Sequence, residues 1–515
     1  MGHEVGNALA YPPRMDRNAE IPRVALAVGL VVPLAVVMGV LLVSPLATPT
    51  VALLGLTFMA LAFPLWLRWH HTLLVCCWNA AVVAFFIPGQ PPVWVLLAAL
   101  SLGIAVVSRT LRQRSDFLWV RSLAIPLLAL VLIVGVTVCI RGVGSRALGS
   151  ELWGAKRYMG VFGAILGYFA LTSSAIPPAR ARWLAGLFFL SGVTAIFSDL
   201  AFAGGPAFYF LFLLFPTDVA FNQAMSADTL QRYTGMAWMA QAGYWFMLLQ
   251  YGIRGVLDLR RPWRLGIFVG LFGLGLFGGF RSSIILFGLL FLTQFWFERL
   301  LRTKLFVFVS LGALLLGAGV VGFAERLPMS VQRSLSFLPI QVHPTARQDA
   351  QGTLDWRLQM WRTVLPEVPQ YLWLGKGYTF SGTDFLLMQE SMRRGMFTAY
   401  EDTLVSGNYH NGLLTLIIPF GLPGTVAFVV FLCASWRVLR RNYLYGSPEL
   451  QRVNTFLIAY FTARLIFYTF FYGQFDIDLM IFTGVVGLSV SLNGGVCTPA
   501  IYRRLPISSL TPSTP

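Results

Sequence analysis

Two pieces of one stretch decide the reading: DWRLQMWRTVLPEVPQYLWLGKGYTF (355–380) and, after a polar interval, SGNYHNGLLTLIIPFGLPG (406–424). Together they close the only long polar segment in a chain otherwise made of apolar runs and short turns. The stretch holds a Trp/Arg-rich amphipathic patch, a Gly-Lys-Gly turn at 375–377, and His410-Asn411 at the threshold of a new apolar helix. Long connections without an apolar period are uncommon and are either functional or disordered. Five Trp or Tyr residues between Trp356 and Tyr378 argue for a folded one.

Outward from this stretch the chain is membrane-like. Of 515 residues, 57% are hydrophobic and 11% charged, against about 25% charged in soluble domains. Apolar runs fall at 24–44, 51–67, 72–88, 93–108, 122–140, 158–176, 183–203, 234–252, 265–280, 282–297, 305–323, 411–434, 455–473 and 479–496. That pattern predicts an all-α polytopic integral membrane protein of about 14 transmembrane helices. The first run follows Arg14, Arg17 and Arg23, is longer than a signal-peptide core and has no small-residue cleavage site after it, so it is expected to remain as a span. The domains expected are an N-terminal bundle (1–323), a large loop (324–410), a three-helix C-terminal segment (411–496) and a tail (497–515) whose end, ISSLTPSTP, reads as disordered.

Lys and Arg orient the spans. With the N-terminus inside, the inside loops carry Arg109, Arg112, Arg114 and Arg121; Arg254, Arg260, Arg261 and Arg264; and Arg437, Arg440, Arg441 and Arg452, among others, whereas the short outside connections at 45–50, 89–92 and 474–478 carry none. Both termini are then cytoplasmic and the large loop lies outside, which in a bacterium is the periplasm. The net charge of +17 is largely this loop bias, and no basic stretch interleaved with aromatics sits in a soluble domain, so nucleic acid is not expected as a partner. A shorter run, FYFLFLLF (208–215), is too short to span and is expected at the interface or dipping into the membrane. The five cysteines lie in or beside apolar runs without metal-site spacing and read as small apolar residues.

Few side chains carry chemistry. His410, outside and next to a helix start, suits a general base near neutral pH, or else simply hydrogen-bonds the helix end. Arg281 sits between Gly278-Gly279 and Ser282-Ser283 at an outside hairpin; its planar fork fits phosphate oxygens, with snorkelling to the interface as the plainer alternative. Arg357 lies one helical turn from Trp361 in an amphipathic segment that alternatively rests on lipid headgroups. Lys376, Arg362, Arg393 and Arg394 are further cations of the same loop. Arg464, mid-span, and Asp199 are expected in ion pairs with each other or with Asp476 or Asp478. No carboxylate pair, metal cluster or Walker-type loop appears, so the combination suggests a lipid-linked phosphate or pyrophosphate held by cations beside a base.

NYHNGLLTLIIPFGLPG resembles the H-N-x-x-L…G-L-x-G segment of the O-antigen ligase / O-antigen polymerase superfamily. GGFRSS around Arg281, DWRLQMW followed by LGKGY, and three spans after the loop are similar to it as well, so the likeness covers roughly 270–495. That resemblance implies a GT-C-like glycosyltransferase working without metal, nucleotide or cofactor. It would transfer glycan from an undecaprenyl-pyrophosphate-type lipid carrier to an acceptor hydroxyl on the periplasmic face of the bacterial inner membrane. It implies His410 as the base, Arg281 and Arg357 as pyrophosphate binders, and a lipid or glycan acceptor as partner. Asn411, Arg464 and Asp476 stand as supporting candidates. A polymerase of the same superfamily is the alternative within the class; its R-x10-G pattern occurs once, from Arg232 to Gly243, partly inside an apolar run. A lipid-linked sugar flippase is the alternative outside the class, but it predicts paired repeats, and none is seen.

Overall fold

The computed structural model describes residues 48–112 apart from Pro88, 117–144, 152–216, 232–381 and 407–499, with single positions inside 29–39 and 383–390. Most of the run 24–44, the tail ISSLTPSTP, Arg393 and Arg394 lie outside the described residues. The chain divides into two units, 1–65 and 66–515.

The helices, in order, are α1 (Thr48–Cys77), α2 (Val93–Arg112), α3 (Arg121–Arg141), α4 (Ala155–Leu171), α5 (Pro178–Leu190), α6 (Ile196–Gly204), α7 (Thr234–Val256), α8 (Pro262–Leu276), α9 (Arg281–Phe297), α10 (Lys304–Phe323), α11 (Met329–Leu335), α12 (Pro344–Val364), α13 (Leu414–Tyr445), α14 (Gln451–Phe470) and α15 (Phe475–Asn493). Seven described stretches are long and apolar enough to cross a membrane: 93–111, 121–141, 178–204, 304–326, 414–445, 448–470 and 475–493. In the third, a 3-10 turn at Ser191–Ala195 joins α5 to α6. Helices α8 and α9 are apolar but shorter, at 15 and 17 residues, because Gly278, Gly279 and Phe280 separate them. The architecture is that of an all-α membrane protein.

Two expected runs are built differently: 51–67 and the first residues of 72–88 form the single helix α1. The 72–88 run is helical only to Cys77. From Trp78 onward it is non-helical, with turns at Trp78–Asn79 and Phe85–Phe86 on either side of an isolated bridge between Val83 and Pro92. Prolines 88, 91 and 92 cannot donate backbone hydrogen bonds, and the segment instead pairs with its neighbours. Asn79 bonds the Phe188 carbonyl at 2.8 Å, Ala81 N–H bonds Thr194 Oγ1 at 2.9 Å, and Val83 N–H bonds the Leu214 carbonyl at 2.9 Å. Non-helical backbone among apolar helices is tolerated where protein groups satisfy it in this way. The apolar patch 208–215 falls mostly in a 3-10 run, Pro206–Leu213, with no buried residue.

The core of the second unit is one continuous apolar cluster running from Leu74 to Leu492. Within it α15 packs along α4, α13 along α3, α14 along α9, and α8 along α7. Trp78 is completely buried, 5.3 Å from the ring of Trp94 and 6.0 Å from that of Phe188. Between apolar helices, packing and interhelical hydrogen bonds supply the cohesion that water cannot. Arg464 on α14 bonds Asp478 on α15 at 2.6 Å. At the other end Asn442 bonds Ser489 at 3.1 Å, and Asn454 and Asn493 exchange hydrogen bonds of 2.9 Å. Asp199 does not join Arg464 as the sequence allowed; its Oδ2 accepts from Met236 N–H at 2.7 Å and caps the start of α7. Local geometry wins there, because the first N–H groups of a helix have no partner within it.

Candidate functional site

Helix α12 is the beam on which the site hangs. At its N-terminal half it is pinned to the turn between α8 and α9. Arg281 Nη2 donates to the Ala350 carbonyl at 2.6 Å. Arg333, buried on α11, donates to the Asp349 carboxylate and to the Gly279 carbonyl, and reaches Thr353 Oγ1 at 3.2 Å. Asp349 also pairs with Arg232 at 3.6 Å. At its other end α12 buries Met360 and Val364 against Tyr409, Leu414 and Ile418. Trp361 Nε1 donates to the Tyr409 carbonyl at 2.8 Å, next to His410. The amphipathic face read from the sequence is therefore packed on α13.

The Gly-Lys-Gly segment docks into a break in α13. Gly421 has φ 64° and ψ −167°, which interrupts the helix, and Pro423 has no N–H for the Pro419 carbonyl. The carbonyls released are taken by the loop: Lys376 N–H bonds Ile418 at 2.8 Å and Gly377 N–H bonds Pro419 at 3.0 Å. Leu422 N–H answers with a 2.6 Å bond to the Leu372 carbonyl. A Cβ at Gly375 would lie 1.9 Å from the Pro419 oxygen, so only glycine passes there. The far side of this loop is held by α3 and α4. Arg141 Nε donates to the Gly375 carbonyl at 3.1 Å, the Tyr158 hydroxyl accepts from Tyr378 N–H at 2.8 Å, and Phe380–Ser381 pairs antiparallel with Leu152–Trp153.

His410 stands where these elements meet. Its φ is 49°, a conformation that side chains other than glycine seldom adopt. Its ring lies 5.5 Å from Trp356, edge to face, and 5.1 Å from Tyr472. Nδ1 is buried and has no hydrogen-bond partner. Burial first, and the Arg357 guanidinium second, push its pKa down from 6.5 to about 4. The imidazole is therefore neutral at physiological pH and able to accept a proton. Arg357 sits over the Tyr472 ring, 5.9 Å from its centre, with a buried Nε that has no partner. Its pKa is lowered by burial; Tyr472 opposes the shift, while Arg281 and Arg333 add to it. Three guanidinium groups thus share one electrostatic neighbourhood, and its carboxylate, Asp349, is already engaged by Arg333 and Arg232. Partly buried positive charge in excess of its carboxylate is costly unless an anion balances it. The Tyr472 phenol, pushed up to about 12 chiefly by burial, stays protonated beside the pair.

The structure puts Arg357 within electrostatic reach of both His410 and Arg281, and gives the supporting candidates other work. Asn411 Oδ1 accepts from Leu413 and Leu414 N–H at 3.0 and 3.2 Å, closing the first turn into α13. Arg464 and Asp478 pair with each other inside the bundle. Asp476 pairs with Arg157 at 3.1 Å, and Arg157 lies 4.0 Å over the Tyr378 ring. Lys376 pairs with Glu367 at 3.2 Å. Arg333 and Tyr472 were not legible: VQRSL and FYGQ carry no local signal, and their partners lie far away in sequence.

Fold and site define a helical membrane protein with a cationic, histidine-bearing site between its loop helix and its C-terminal spans. Residues 266–429 match the family model described as O-antigen ligase, which supports the O-antigen ligase/polymerase superfamily that the motifs resemble. The match contains Arg281, Arg333, Arg357 and His410 and ends beyond the Gly421 break. With that family come glycosyltransferase-like enzymes, lipid-linked glycan substrates and the bacterial envelope. No curated protein matches the chain.

Proposed function

We propose that the protein transfers a glycan from an undecaprenyl-pyrophosphate-type carrier to an acceptor hydroxyl, as an O-antigen ligase does. The segment 324–410 is a periplasmic domain in this reading, both termini are cytoplasmic and the membrane is the inner one. The observation that carries it is a neutral, half-buried His410 whose buried Nδ1 has no hydrogen-bond partner, beside Arg357, whose buried Nε has none either. Arg357 and Arg281 hold the pyrophosphate, and Arg333 adds field while it fixes α12.

The acceptor oxygen attacks the anomeric carbon from the face opposite the pyrophosphate. The bond from that carbon to the pyrophosphate oxygen breaks, and its electron pair leaves with the lipid pyrophosphate. The hydroxyl proton passes to His410, and the anomeric centre inverts. Donors aimed at the leaving oxygens stabilise charge that grows in the transition state. Metal has no part in these steps.

A pKa of about 4 makes His410 a weak base in the empty site. A bound pyrophosphate offsets Arg357 and raises it, so the base strengthens as the donor arrives. The test is transfer by purified, reconstituted protein given lipid-linked glycan and acceptor. Product with inverted anomeric configuration, formed equally with and without EDTA, is expected. Retained configuration, or a rate abolished by EDTA, overturns the proposal.

A further inference from the structure

We propose that the seam between α3 and α13 binds an anionic phospholipid, its phosphate in an arginine-lined pocket at the end of α13 opposite His410 and a chain in the apolar groove beside it. Two cavities carry this. The first, about 860 Å3, lies where α3 begins and where α13 and α15 end, and Arg121, Arg437, Arg440 and Arg441 line it. All four are exposed, and none has an acidic partner among the described residues. Trp119, 58% exposed, and Tyr445 complete the rim, the residue types that settle at headgroup depth.

The second cavity, about 460 Å3, is lined by Ile125, Ala129 and Ile133 of α3, by Val426 and Val430 of α13, and by Trp373. The two are neighbours along one seam. Ser122 lines the first and Ile125 the second on α3; Ala434 and Val430 do the same on α13. Those spacings of three and four residues are a single helical turn on one face. From Ile125 to Ile133 the groove follows α3 for about 12 Å.

Cytoplasmic arginines that only set topology need not enclose a cavity. A soluble anion would fill the arginine pocket and leave the groove bare. A phospholipid fills both, and basic pockets between membrane helices are known to take anionic headgroups. His410 precedes α13 and Arg437, Arg440 and Arg441 lie in its last turns, so the arginine pocket is separated from His410 by most of a helix of 32 residues, while the groove reaches up to Leu422 and Pro423 beside the Gly421 break.

The experiment is a lipid titration of the full chain in detergent, followed by native mass spectrometry. Phosphatidylglycerol is expected to bind at least about tenfold more tightly than phosphatidylcholine. The double variant R437Q/R441Q, at exposed positions, removes that preference. Val430→Trp, which fills the groove, weakens phosphatidylglycerol without touching an arginine. Millimolar inorganic phosphate does not displace the lipid. Equal binding of the two lipids, a preference that survives both variants, or displacement by inorganic phosphate each overturns the proposal.

Discussion

At His410 two pressures meet. The surrounding rings and Arg357 hold the imidazole neutral, and the chain holds its backbone at φ 49°. A non-glycine residue in that region is kept there at a cost of order 1–3 kcal/mol, and such residues gather at functional sites. The pH behaviour follows with a definite sign. The folded pKa, about 4, lies below the usual 6.5, so between those values the unfolded chain takes up more protons than the folded one. Stability from this source is present above pH 6.5 and is lost as pH falls toward 4. The melting temperature of wild type minus that of His410→Gln is expected to fall as acid is added across that range, and a difference that does not change with pH would contradict it. In kinetics, the acid limb of kcat/KM, which reports the empty enzyme, falls at lower pH than the limb of kcat, which reports the donor-bound one. Coincident limbs would contradict donor control of the base. Arg357→Ala is expected to lose donor binding while the protein still inserts, and Arg357→Lys to recover it only in part, because an ammonium lacks the bidentate fork. Donor titration against each variant checks this. At this scale the sequence was legible for the residues inside short motifs, His410, Arg281 and Arg357. It was silent on Arg333 and Tyr472, whose roles exist only once α11 and the α14–α15 connection are folded against α12 and His410.

The elements explain why the motifs have the spacing they have. The GLPG of α13 is a designed interruption. Gly421 turns the chain and Pro423 leaves the Pro419 carbonyl unclaimed, while Leu422 turns its own N–H away from the Ile418 carbonyl to Leu372, so both freed carbonyls receive the Gly-Lys-Gly loop. The φ 64°, ψ −167° of Gly421 belongs to glycine alone, and its Cβ would lie 2.7 Å from the Leu372 oxygen. Gly421→Ala is therefore expected to cost roughly 1–3 kcal/mol, read as a lower melting temperature together with protease cleavage in the 372–381 segment. An unchanged melt and cleavage pattern would mean that the docked loop is not what the break serves. Trp361→Phe keeps the apolar packing and removes the 2.8 Å bond to the Tyr409 carbonyl; it is expected to slow transfer more than it lowers the melting temperature. Apolar runs marked most helices to within a few residues, since period and length agree there. The 72–88 run misled because it is apolar without a helical obligation. Its non-helical half depends on Asn79, Ser191 and Thr194 supplying or accepting hydrogen bonds, which no local pattern announces.

Across the whole molecule, polar investment is uneven. Helix α10 has no buried residue, whereas α13, α14 and α15 are buried along much of their length. The C-terminal helices form the scaffold, and α12 packs against the start of α13. Reporter fusions at residue 350 are expected to give a periplasmic signal, and fusions at 262 and 445 a cytoplasmic one, from the Lys/Arg asymmetry of the loops. A cytoplasmic signal at 350 would put His410 on the wrong side for a periplasmic acceptor. The most direct measurement is turnover by purified His410→Ala, with donor binding measured on the same preparation. Loss of a positioned base costs about 10²–10⁴ in rate, so the variant is expected to bind lipid-linked glycan as wild type does and to transfer it at least about a hundredfold more slowly. Transfer at the wild-type rate would make His410 an interfacial side chain at the head of α13 and contradict its assignment as the base.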